Sequence, residues 1–112
     1  MSKSFEAYIE EIESLNDSGK FAELEKLIYE CVQTINDIPS INLLASKARW
    51  ADFEDNYQAI EIAQNIMDRA IEKATSENDR EALELILDEL ENNLELDDRA
   101  EEVRSIIENL ND

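Results

Sequence analysis

Residues 41–74 read INLLASKARWADFEDNYQAIEIAQNIMDRAIEKA, and apolar side chains recur in them three and four apart, the spacing that lines one side of an α-helix. The first part predicts a helix over about Ser40 to Glu54. Its apolar groups, Ile41, Leu43, Leu44, Ala45, Ala48, Trp50, Ala51 and Phe53, point to nearly every side. The second part predicts a helix over about Asp55 to Ala74. There Tyr57, Ala59, Ile60, Ile62, Ala63, Ile66, Met67, Ala70, Ile71 and Ala74 spread over about half the circumference, wider than the stripe of a surface helix. Both helices must touch neighbours on two sides, so this pair is expected at the centre of the fold.

The same spacing continues outward in both directions. A helix over about Ser4 to Asn16 carries Phe5, Tyr8, Ile9, Ile12 and Leu15 on one narrow face, and one over about Lys20 to Asn36 aligns Phe21, Leu24, Ile28, Cys31, Val32 and Ile35. Gly19 sits between them, where a helix end favours a left-handed residue. Pro39 follows the second helix and suits the first turn of the next. Beyond Thr75-Ser76-Glu77-Asn78, a polar break with capping side chains, a fifth helix over about Asp79 to Asn93 buries Ala82, Leu83, Ile86, Leu87 and Leu90, with Leu94 near its end. A sixth, about Asp97 to Asn109, repeats the scheme with Ala100, Val103, Ile106, Ile107 and Leu110. Asp97 and Asp98 open it, where carboxylates suit the helix dipole. Short breaks imply antiparallel neighbours. The expected fold is therefore all-α, a single domain over residues 1–112 with about six helices in three stacked antiparallel hairpins, a closed helical bundle being the alternative.

Composition agrees. The 112 residues include one Gly and one Pro, too little punctuation for a many-stranded β protein. There are 29 acidic and 10 basic residues, net charge -19. Residues 1–36 carry -5, residues 37–76 carry -3 and residues 77–112 carry -11. Direct binding to nucleic acid, which draws on Lys and Arg, and binding to anionic membranes are both argued against. A basic protein surface is the natural partner. No apolar run approaches the roughly 18 residues of a membrane span, and the start of the chain lacks the apolar core of a signal peptide. A cytoplasmic location and a whole gene product beginning at Met1 are expected. Cys31 is the only cysteine; it falls in an apolar stripe and reads as a core residue.

Residues 47–71 resemble a half-a-tetratricopeptide (HAT) repeat. Trp50, Phe53 and Glu54 match its aromatic-x-x-aromatic-Glu ending on the first helix, and Ala63, Ile66, Asp68, Arg69, Ala70 and Ile71 match the run on the second. Lys47, Gln64 and Met67 depart from the family's preferences. Residues 8–32 more loosely resemble a plain tetratricopeptide unit through Tyr8, Ile12, Leu15, Gly19, Phe21, Leu24, Ile28 and Cys31. The resemblance implies helical-hairpin packing and a non-catalytic binding role.

The chain has no histidine, which removes imidazole acid-base chemistry and the nucleophile systems built on it. One cysteine cannot form a zinc-cysteine cluster. Neither a phosphate-binding glycine loop nor a calcium loop is present. No enzymatic activity and no cofactor or metal is expected. Arg69 is expected to pair with Glu54 or Asp68 across the middle hairpin, and Trp50 and Tyr57 to pack within it.

The remaining signal is acidic. Glu77, Glu81, Glu84, Asp88, Glu91 and Glu95 are spaced four, three, four, three and four apart, which on one continuous helix makes a single negative stripe. Leu85 lies outside the buried set and beside Glu81, Glu84 and Asp88. These seven residues form the candidate partner-binding surface. The first reading is a small adaptor or inhibitor of a basic protein, a toxin immunity protein being one version. A second is a DNA mimic of the anti-restriction or anti-CRISPR type. The stripe carries about one charge per 5 Å of helix, sparser than the one per about 3.4 Å along a DNA strand, with the sixth helix able to supply a second row; mimicry predicts two rows of charge from different helices. A third reading is an acidic domain whose contacts lie in a homodimer.

Overall fold

The computed structural model describes residues 3–110, which contain six α-helices and no strand. In order these are α1 (Phe5–Asp17), α2 (Phe21–Val32), α3 (Ile38–Arg49), α4 (Asn56–Ser76), α5 (Arg80–Glu89) and α6 (Asp97–Glu108), with α5 prolonged by a π-helical turn, Leu90–Leu94. Four of the starts are capped by an oxygen-bearing side chain placed just before the first turn. Ser4 Oγ accepts from the Ala7 amide, Asp37 from Ser40, Asp55 from Tyr57 and Asp79 from Ala82, at 2.9–3.2 Å. Each satisfies one of the amides that a helix N-terminus leaves without an internal partner. The hydrogen bonds from Ser40 hold the Asp37 carboxyl below its ordinary range.

Three turns reverse the chain by the same device. Gly19, Asn78 and Glu95 have φ of 73°, 52° and 55°, and in each case the following amide bonds back to a carbonyl of the preceding helix: Lys20 to Leu15, Asp79 to Ala74 and Leu96 to Leu90, all at 3.0 Å. A left-handed residue followed by such a bond is how helices commonly stop. Glycine adopts that conformation freely and asparagine tolerates it, whereas glutamate pays for it in backbone strain.

Helices α3 and α4 make the most extensive pairing in the molecule, followed by α1 with α2. Helix α5 packs on both α4 and α6, and further contacts join α1 to α3, α3 to α5 and α4 to α6. Between α2 and α4, Gln58 donates to Glu25 at 2.9 Å and Asn65 to the Tyr29 hydroxyl at 3.1 Å. The three hairpins are therefore stacked, with α1, α3 and α5 in one row and α2, α4 and α6 in the other. The overall extents, 47 × 33 × 17 Å, fit a slab two helices thick at axial separations of about 8–10 Å. The core lies between the rows and includes Leu24, Ile28, Leu44, Ile62, Ile66, Met67, Leu83, Ile86, Leu90, Leu94 and Val103, all fully buried.

Several boundaries differ from those the sequence predicts. Helix α2 ends at Val32 instead of Asn36, where the Thr34 hydroxyl and amide both bond to the Cys31 carbonyl. Helix α3 begins two residues earlier, at Ile38, because Asp37 caps it and Pro39 fits its first turn. It stops at Arg49, so Trp50, Phe53 and Glu54 lie in the connection to α4 and not on the first helix of the pair. Phe53 is nevertheless buried, with its ring 5.6 Å from that of Phe21. Asp68 accepts from Arg99 of α6 at 2.7 and 3.3 Å, in place of the expected pairing with Arg69, which is exposed. Ile106, Ile107 and Leu110 are only half-buried, since among the described residues no helix follows α6 to cover its outer side.

Two outcomes test this description. Glu95→Gly should raise stability by about 1 kcal/mol by removing left-handed strain, a gain of about 4 °C in Tm, while Glu95→Gln, which removes the charge and keeps the strain, should gain less; equal gains would contradict the account. Burial pushes the Cys31 thiol up to about 11, so at neutral pH it should resist iodoacetamide in the folded protein and react once denaturant unfolds the chain. Alkylation of the native protein at the rate of a free thiol would show that Cys31 is not in the core.

Candidate protein-binding surface

The structure brings some of the seven expected surface residues together and separates others. Glu81, Glu84, Leu85 and Asp88 lie on α5 and are exposed. Glu77 lies beyond the end of α4, where it pairs with Lys73 at 3.1 Å. The left-handed residue Asn78 then turns the chain before α5 begins. Glu91 falls in the π-helical turn and pairs with Arg104 of α6. Glu95 is itself the left-handed residue that ends the turn. A stripe of six needs one unbroken α-helix from 77 to 95, and the chain breaks it at both ends. The acidic row on α5 consists of Glu81, Glu84 and Asp88, with Arg80 on Glu84 at 3.5 Å and Asn92 donating to Asp88 at 2.6 Å.

Leu85 is 54% exposed at the centre of this row. By helical spacing its neighbours are Glu81 one turn before and Asp88 and Glu89 one turn after. An apolar side chain thus stands in a ring of carboxylates.

The π-helical turn explains a second exposed feature. The last carbonyls of a helix have no amide ahead of them to accept from. Here the last residue of α3 and the one just beyond it supply the donors: Arg49 Nε bonds to the Leu94 carbonyl at 2.9 Å and the indole N–H of Trp50 to the Asn93 carbonyl at 3.1 Å. The Asn93 side chain donates to Ser46 Oγ at 3.1 Å and to Glu89 at 2.8 Å. The Arg49 guanidinium lies over the Trp50 ring, 4.4 Å from its centroid, a cation-π contact that also fixes the ring's orientation. Trp50 therefore lies against the π-helical turn that ends α5, is 49% exposed, and is not the packing residue that its sequence context suggests. Tyr57, also expected to pack within the hairpin, is 80% exposed in the first turn of α4.

Leu43, on α3, is 43% exposed. It precedes Trp50 by two turns, with Ser46 and Lys47 between them on the same side. Beside this side of α3, Ile12, Asn16, Lys47 and Trp50 help to line a cleft of about 510 Å³. Lys47 pairs with Glu13 of α1 at 2.7 Å. Asn16 of α1 exchanges two hydrogen bonds with Asp52, at 2.8 and 3.1 Å. Leu43 and the role of Trp50 escape sequence reading because residues 41–53 are apolar on almost every side. The sides left uncovered depend on which helices arrive from elsewhere in the chain.

Among the described residues no cluster of acidic or cysteine side chains could hold a metal ion, and no helix is long and apolar enough to cross a membrane. Comparison with protein-family models, curated proteins and solved structures finds no match to this chain.

Proposed function

We propose that this chain is a non-enzymatic, cytoplasmic protein-binding module, an adaptor or inhibitor that takes a basic protein surface on the outer side of α5. The observation that carries this reading is Leu85, half exposed among Glu81, Glu84, Asp88 and Glu89 on a helix of a strongly acidic chain. A charged rim speeds encounter with a partner of opposite sign and rejects partners of like sign, while a desolvated apolar centre slows dissociation. Either feature alone is ordinary: single exposed leucines are common, and so are solvated acidic faces. Their coincidence supports a contact site. The stacked helical hairpins, with the sequence resemblance of residues 8–32 and 47–71 to hairpin-repeat families, support a scaffold role. Nucleic-acid mimicry depends on long, regular rows of charge. The interruptions at Asn78 and at the π-helical turn leave α5 with three acids in line, which favours the adaptor reading over a mimic that would draw its second row of charge from α6.

The test is affinity capture from the source cell, with the parent compared against the triple variant Glu81→Gln, Glu84→Gln, Asp88→Asn and against Leu85→Ala. The triple variant should lose its basic partner by about tenfold or more, mostly in association rate and chiefly at low salt. Leu85→Ala should instead speed dissociation. Unchanged capture by the triple variant would overturn the reading.

A further inference from the structure

Leu85 does not stand alone. On α5, Leu85, Glu89 and Asn93 follow one another at four-residue steps, which places them along one edge of the helix and its π-helical turn. Asn93 bonds to Ser46, and Ser46 lies between Leu43 and Trp50 on the open side of α3. The edge of α5 and the open side of α3 therefore meet along one line, with the exposed apolar residues Leu43, Trp50 and Leu85 distributed over it. Glu89 stands on the line itself, and carboxylates of the helices on either side follow it: Glu13 and Asp17 on α1, Glu81 and Asp88 on α5. Of the two cations beside it, Lys47 is neutralised by Glu13, while Arg49, held by the Leu94 carbonyl and over the Trp50 ring, keeps its charge at one end of the line.

Building on the proposed reading of the chain as a binder of basic protein, we infer that the occupant of this face is a cationic amphipathic α-helix of a partner. It lies along α3 with its apolar side on Leu43, Trp50 and Leu85 and its Lys and Arg side chains toward the carboxylates of α1 and α5. Three physical points select this occupant. The field is negative on both flanks, so a second copy of this acidic chain is repelled and a cationic segment is attracted. The described residues contain no sheet edge. An extended segment would find no main-chain partners, whereas a helix satisfies its own amides and carbonyls. The scale also matches: Leu43 and Trp50 are seven residues apart, about 10.5 Å along the axis, and apolar groups at i, i+3 or i+4, and i+7 of a docked helix span the same distance.

Trp50 is the only tryptophan and reports on the face directly. The probe is a synthetic Leu/Lys amphipathic helical peptide of about 18 residues, titrated into the full chain at near-physiological salt. A Lys/Gln peptide of equal length and charge is the control. The Leu/Lys peptide should bind more tightly than the control and shift Trp50 emission to the blue. Leu43→Ser and Leu85→Ser, exposed positions whose circular dichroism should match the parent's, should each weaken it by about tenfold. Equal binding of both peptides, with Trp50 emission unmoved, would overturn this docking face and leave the electrostatic reading standing. If neither peptide bound, both would fall.

Discussion

Close approach of α3 and α4 is the constraint on which the rest of the structure depends. Ala45 and Ala48 on α3 and Ala59 and Ala63 in the first half of α4 are all fully or almost fully buried. Alanines in such positions bring two helix axes toward the near end of the usual range of separations, about 8 Å. Leu44, Ile62, Ile66 and Met67 then fill the space on either side of the contact, and a core packed this closely resists changes of even one methylene. The outer hairpins are laid against this pair. Helices α1 and α2 both reach α3, and α5 and α6 both reach α4. Because α3 lies in the middle of its row, it is also the helix whose outward side faces solvent between two neighbours.

This arrangement accounts for what could be read directly from the residues and what could not. Six helices, their order and the central place of residues 41–74 follow from periodicity, because the alternation of apolar and polar side chains is a local property. The end of α3 is not local. Arg49 and Trp50 bond to carbonyls of Asn93 and Leu94, more than forty residues away, and nothing near position 50 announces that. The acidic row failed for a related reason. Its spacing presumed an unbroken helix, but Leu90, Leu94 and Leu96 are all buried, and the chain burys them by widening into a π-helical turn and ending it at Glu95. Asp68 likewise reads as a partner for its sequence neighbour Arg69, until α6 delivers Arg99 to it from the stacked hairpin.

The same geometry shapes the proposed binding face. A chain with net charge -19 works against its own compactness through self-repulsion. Its exposed ion pairs, such as Lys73 with Glu77 and Lys47 with Glu13, return little, since pairs of that kind contribute about 0–1 kcal/mol each. Stability must come from the apolar core. On the proposed reading the acidic surface is the field that selects and orients a cationic partner, and Leu43, Trp50 and Leu85 supply the apolar contact. The two rows of helices divide the work: α4 lies within the core, while α3 and α5 carry the exposed residues of the proposed face.

Native-state hydrogen exchange tests the central claim, that the α3–α4 pair is the foundation on which the outer hairpins rest, most directly. Amides of α3 and α4, around Leu44, Ala48, Ala63 and Met67, should exchange slowest and only through global unfolding, with α6 and the N-terminal turn of α1 opening first. Slowest exchange in α5 and α6, with α3 opening before them, would contradict the account.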